Sequence, residues 1–125
     1  MRSNNKGDRL GFGNTGHPPI NLKIMEERPV VLFARYKVKD GHLIGLLDLL
    51  KEVTARSTEE QGNLFYYIHQ SHADSNTLML YEAYENKAAV EYHFNSQHFR
   101  DIVIGKIMPL LEDRDVILSS PLQLE

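Results

Sequence analysis

Glu60-Gln61-Gly62-Asn63-Leu64, then Leu80-Tyr81-Glu82-Ala83-Tyr84-Glu85-Asn86, then His93-Phe94-Asn95-Ser96-Gln97-His98-Phe99 set the order of elements in this chain. Gly62 falls where a left-handed residue would end a helix. Asn86 and Ser96 are helix-starting residues, because their side-chain oxygens can accept hydrogen bonds from the free amides of a first turn. Leu64 to His72 and Thr77 to Tyr84 are rich in aromatic and branched residues. They flank Ala73-Asp74-Ser75-Asn76, a polar connection suited to an antiparallel hairpin.

Upstream, Val30 to Val38 alternates, with Val30, Leu32, Ala34, Tyr36 and Val38 on one face of a strand. Asp40 is expected to cap a helix whose Leu43, Leu46, Leu47, Leu50 and Val53 form one apolar stripe. Downstream, Asn86 opens a helix to about Phe94, and Ser96 opens another that bears Phe99, Ile102, Val103 and Ile107. Pro109 disturbs its last turn. A final strand is expected around Val116 to Ser119. The order β-α-β-β-α-α-β predicts a ferredoxin-like α+β sandwich, an antiparallel sheet with helices on one face. On the second strand the uncovered face holds either Phe65, Tyr67 and His69 or Leu64, Tyr66 and Ile68. Neither set is fully polar, which predicts a homodimer with sheets packed face to face.

The 125 residues, 42% hydrophobic and 25% charged, suit one globular domain. A net charge of −3, with no basic cluster interleaved with aromatics, argues against a nucleic-acid partner. The absence of cysteine excludes disulfides, thiolate catalysis, iron–sulfur clusters and Cys-based zinc sites. No apolar run approaches a membrane span, and the expected location is the cytoplasm. Residues 1–28, broken by glycine, asparagine and Pro18-Pro19, read as a basic arm or extension before a domain over residues 29–125. Met25 is an alternative natural start.

Gly62-Asn63-Leu64 with Tyr66, the Glu82-x-Tyr84 pair, and His93-x-x-Ser96-x-His98-Phe99 resemble the antibiotic biosynthesis monooxygenase domain family over roughly residues 30 to 120. The resemblance implies a dimeric α/β barrel built from ferredoxin-like subunits. Members of that family include small quinol monooxygenases that use no metal, flavin or haem, isomerases of a phosphorylated signalling dione, haem-degrading enzymes, and domains without known activity. Tyr84 stands where the family usually has Trp. Haem degradation is disfavoured by that loss and by the lack of an Asn in the first strand.

Cofactor-free oxidation of a quinol or polyphenol begins with removal of a phenolic proton, which needs a base, an apolar pocket and donors for the anion. His93 is the candidate base. Tyr66 and Glu82 complete the expected catalytic set, and Tyr84, Tyr92, Phe99, Arg35 and His98 are the expected substrate contacts. The plainer alternatives are that His93 hydrogen-bonds with Ser96 at the helix junction, and that Glu82 pairs with Arg35 or Arg56. His69 and His72 point to opposite faces of a strand. His93 and His98 can approach each other, yet the sequence shows no third ligand, so no metal is expected. No glycine-rich phosphate loop follows a strand. The function readings are a cofactor-independent monooxygenase, an isomerase of a small or phosphorylated diketone anchored by Arg35, Arg56 or Lys51, and a non-catalytic dimeric ligand-binding domain.

Overall fold

Alternation along β1 (Val30–Val38) organises the sheet, since Leu32, Ala34, Tyr36 and Val38 are buried while Phe33 between them is exposed. The computed structural model describes residues 27–124, so the expected N-terminal arm lies outside the described residues apart from Glu27 and Arg28. After β1 come α1 (Leu43–Thr58), β2 (Asn63–Gln70), β3 (Thr77–Tyr84) and α2 (Lys87–Phe94). A third helix, α3 (Phe99–Ile107), is wound as a π-helix, and a 3-10 turn over Met108–Leu110 leads into β4 (Leu111–Ser119). The four strands lie in the order β2-β3-β1-β4, each neighbouring pair antiparallel. This is the ferredoxin-like α+β architecture that the element order predicts.

α1 buries Leu46, Leu50, Val53 and Ser57 against the sheet. Each fully buried leucine contributes about 1.5–3 kcal/mol relative to exposure. Leu47, expected in the stripe, lies one helical step round from Leu46 and stays exposed. Asp40 is not the cap of α1. It accepts a 3.0 Å hydrogen bond from Nδ2 of Asn76. The chain instead reverses at Gly41, whose φ of 83° is the left-handed conformation glycine favours, and α1 begins two residues later at Leu43. Gly62 has no such dihedral. Its role is close approach, because a Cβ there would overlap that of Ala89 on α2.

The choice between the two faces of β2 is settled by a bulge. Register with β3 shifts between Asn63 and Phe65, leaving Leu64 outside the alternation. Tyr66 is then buried and Ile68 packs on the core, while Phe65, Tyr67 and His69 take the other face. β4 begins at Leu111 rather than at Val116, and Asp113 and Asp115 lie within it opposite Lys37 and Arg35. The charged residues break the apolar alternation by which a strand is recognised.

The face of the sheet away from the helices carries Phe33, Tyr67, Met79, Tyr81 and Ile117, all substantially exposed. Phe33 stacks on Tyr81 at 5.1 Å and Phe65 on Tyr67 at 5.3 Å, so the patch is continuous and aromatic. Among the described residues, no helix is long and apolar enough to cross a membrane.

Candidate active site

α2 starts on Asn86, whose side chain accepts from the Ala89 amide at 2.9 Å, and its inward face carries Val90 and His93. His93 is 1% exposed. Its ring stands between two carboxylates. Nδ1 lies 2.9 Å from Oε2 of Glu60, and Nε2 lies 3.6 Å from Oε1 of Glu82. Nε2 of His98 meets the same Glu60 oxygen at 2.6 Å. With Glu60 accepting as a carboxylate, both imidazoles donate to it. In a neutral His93 this puts the ring proton on Nδ1 and leaves the Nε2 lone pair facing Glu82.

Glu82 stands on the core face of β3 with Leu78, Leu80 and Tyr84, all buried. Oη of Tyr84 donates to its Oε1 at 2.7 Å. Burial raises the Glu82 pKa above the usual carboxylate value, against the opposing pull of the Tyr84 hydrogen bond and of His93. Burial, reinforced by the Glu82 charge, also pushes Tyr66 and Tyr84 up, so both phenols stay protonated and serve as donors. Phe99 meets the His93 ring edge-on at 5.3 Å, and Tyr84 and Phe94 approach it at 5.0 and 5.7 Å.

Of the residues singled out from sequence, His93, Tyr66, Glu82, Tyr84, Phe99 and His98 come together here. Arg35 does not. It lies on the opposite side of the sheet, paired with Asp113 and Asp115 at 2.6 Å each, because it follows buried Ala34 by one position in an alternating strand. Tyr92 is next to His93 on a helix and so turns away. It is 67% exposed, beside a surface hollow of about 330 Å³ shared with Gln61, Gly62, Glu85, Ala88 and Ala89. Glu82 pairs with neither Arg35 nor Arg56. Ser96 donates to the backbone carbonyl of His93 at 2.7 Å, leaving the ring free for Glu60.

Glu60 is the member that sequence reasoning missed. It lies in the turn after α1, where no periodicity applies, and only a buried carboxylate preceding a close-packed glycine marks it. It supplies the third group between His93 and His98 that their spacing does not reveal.

These features define a ferredoxin-like domain with a carboxylate–imidazole cluster sealed between its helices and sheet. The chain belongs to the antibiotic biosynthesis monooxygenase family, whose sequence model matches residues 29–103. It is 28% identical over 74 residues to the Bacillus subtilis protein named "Putative monooxygenase YcnE", covering 59% of this chain and 78% of that protein. An uncharacterized protein of Synechocystis is 27% identical over 75 residues, and the match spans 60% of this chain but only 51% of that relative. Among solved structures, PA3566 of Pseudomonas aeruginosa superposes with a TM-score of 0.71 at 28% identity, over 78% of this chain and 98% of that one.

Proposed function

We propose that this domain is a cofactor-independent monooxygenase that oxidises a small quinol or polyphenol with O2, working as a homodimer. The observation that carries the reading is the orientation of His93. Glu60 holds Nδ1, so Nε2 faces Glu82, and the rings of Tyr66, Tyr84 and Phe99 pack around the imidazole. A phenolic proton passes to Nε2, and the electron-rich anion left behind reduces O2 by one electron. Tyr66 and Tyr84, held protonated, donate to the developing anion. Glu82 takes up or releases a proton beside them. Phe99 and Phe94 keep water out, and their displacement admits the substrate. The family's naming of relatives as monooxygenases supports the same class of reaction.

The isomerase reading lacks its cationic anchor, since Arg35 lies across the sheet, Arg56 pairs with Glu52 at 3.4 Å on the surface and Lys51 is exposed on α1. One observation favours a non-catalytic ligand-binding domain: His93, Tyr84 and Glu82 are closed in by their own neighbours. Oxygen uptake with menadiol separates the two. Uptake above autoxidation that falls by about 10²-fold or more in His93→Ala supports the oxygenase. Uptake no faster than autoxidation across a panel of quinols and polyphenols supports the binding domain.

A further inference from the structure

We propose that Glu60, His93 and His98 form a binding site for one divalent transition-metal ion of the zinc type. Each of Glu60, His93 and His98 offers one ligand atom within 4.8 Å of the other two, and Oε2 of Glu60 lies 2.9 Å from Nδ1 of His93 and 2.6 Å from Nε2 of His98. Two imidazoles and a carboxylate form a donor set with a net charge opposite to that of such an ion, and zinc takes nitrogen and oxygen ligands of this kind.

A second observation points to a ligand. One oxygen of Glu60 accepts from both imidazoles, while the other, Oε1, is buried and has no partner among the described residues. The Glu60 side chain is only 4% exposed. A buried acceptor without a partner is unfavourable, and a cation gripped by both oxygens of this carboxylate meets it. The far side of His93 fits as well. Its Nε2 faces Oε1 of Glu82 at 3.6 Å, and Glu82 is itself anchored by Tyr84. Metal-bound histidines commonly carry such a carboxylate on the second ring nitrogen, which fixes the tautomer with the first nitrogen free for the ion.

The geometry needs little change. Zinc bonds of about 2.0–2.1 Å in a tetrahedral arrangement put ligand atoms about 3.3 Å apart. The two Glu60–imidazole contacts of 2.6 and 2.9 Å open to that spacing by small side-chain rotations. His98, with 13% of its side chain exposed, lies on the route from solvent. Three protein ligands leave a fourth position for water or a small anion. An ion on Nδ1 moves the remaining ring proton of His93 to Nε2, so occupancy and action as a base at Nε2 exclude each other. The site thus goes beyond the oxygenase reading, as a means of silencing it.

The test uses the full chain, free of any affinity tag and stripped with a chelator, and needs no substrate. Calorimetric titration with Zn2+ and absorption titration with Co2+ are expected to give one ion per chain. Glu60→Gln and His98→Ala are each expected to weaken binding at least on the order of tenfold, whereas His42→Ala, at an exposed position outside the cluster, leaves it unchanged. In the unaltered protein, Co2+ is expected to shift the ring-proton NMR signals of His93 and His98 selectively, which locates the ion even if a variant fails to fold. Absence of stoichiometric binding, or binding that leaves both rings unshifted, overturns the site. Neither result bears on oxygen uptake, so this proposal and the oxygenase reading fail separately.

Discussion

Gly62 and Ala89 pack so closely that a methyl group on Gly62 would overlap the one on Ala89. The Gly62 carbonyl also accepts a 2.8 Å hydrogen bond from the Glu85 amide, which ties the start of α2 to the turn after α1. His93 lies one helical turn beyond Ala89, so the seating of α2 on that turn sets how Nδ1 meets Glu60. Gly62→Ala is expected to cost about 1–3 kcal/mol by overpacking, read as a lower urea midpoint. An unchanged midpoint would show that α2 shifts freely and does not position His93.

The sequence carried the fold through alternation and capping. β1, β3 and α2 have the boundaries expected from Val30 to Val38, Thr77 to Tyr84 and the Asn86 cap. What it concealed has physical causes. β4 carries Asp113, Arg114 and Asp115, whose charges mask strand character, and only the pairing with β1 reveals it. Gly41 and Gly62 look alike in sequence, yet one supplies a left-handed dihedral and the other a missing side chain. Glu60 and His93 are far apart along the chain and meet only because α1 and α2 pack on one sheet face. Arg35 could be assigned to the open face from alternation alone.

The hydroxyl of Tyr84 donates to the Glu82 carboxylate at 2.7 Å. Tyr84→Phe leaves a buried acceptor short of a partner, a cost of about 1–3 kcal/mol. Because that hydrogen bond favours the ionised carboxylate, its loss drives the already raised Glu82 pKa higher still. Carbon-13 NMR of the Glu82 carboxyl across pH is expected to show the later titration. An unmoved or earlier titration would mean that Tyr84 does not stabilise the anion.

Asp74, at the β2–β3 turn, is paired with Lys37 and also accepts from the Asn76 amide and the Thr77 hydroxyl. These partners lower its pKa from 3.8 to about 2. For a carboxylate depressed by folding, the stabilisation is full above the unfolded value and disappears as pH falls through the folded one. Acid denaturation followed from neutral pH downward is therefore expected to lose this contribution between 3.8 and about 2. Asp74→Asn is expected to show a flatter stability curve in that window. A variant with the same slope as the parent would remove Asp74 from the account of acid stability.

The open sheet face gives the sharpest test of self-association. Phe33, Tyr67, Met79, Tyr81 and Ile117 form an exposed aromatic and aliphatic surface with none of the described helices over it, and a monomer seldom leaves such a patch uncovered. Two copies packed through these sheets would bury Ile117, which is 62% exposed in the single chain. An aspartate at that position would then place an unpaired charge inside the interface, where desolvation penalises it heavily. In the isolated subunit the same residue meets solvent and costs little. Sedimentation velocity is expected to show the parent protein as a dimer and Ile117→Asp shifted toward monomer, with circular dichroism unchanged. A parent chain that sediments near 14.4 kDa at all accessible concentrations would sink the homodimer. A variant that stays dimeric would move the interface off this face, because no face-to-face packing of the two sheets tolerates a buried, unpaired carboxylate at its surface without loss of affinity.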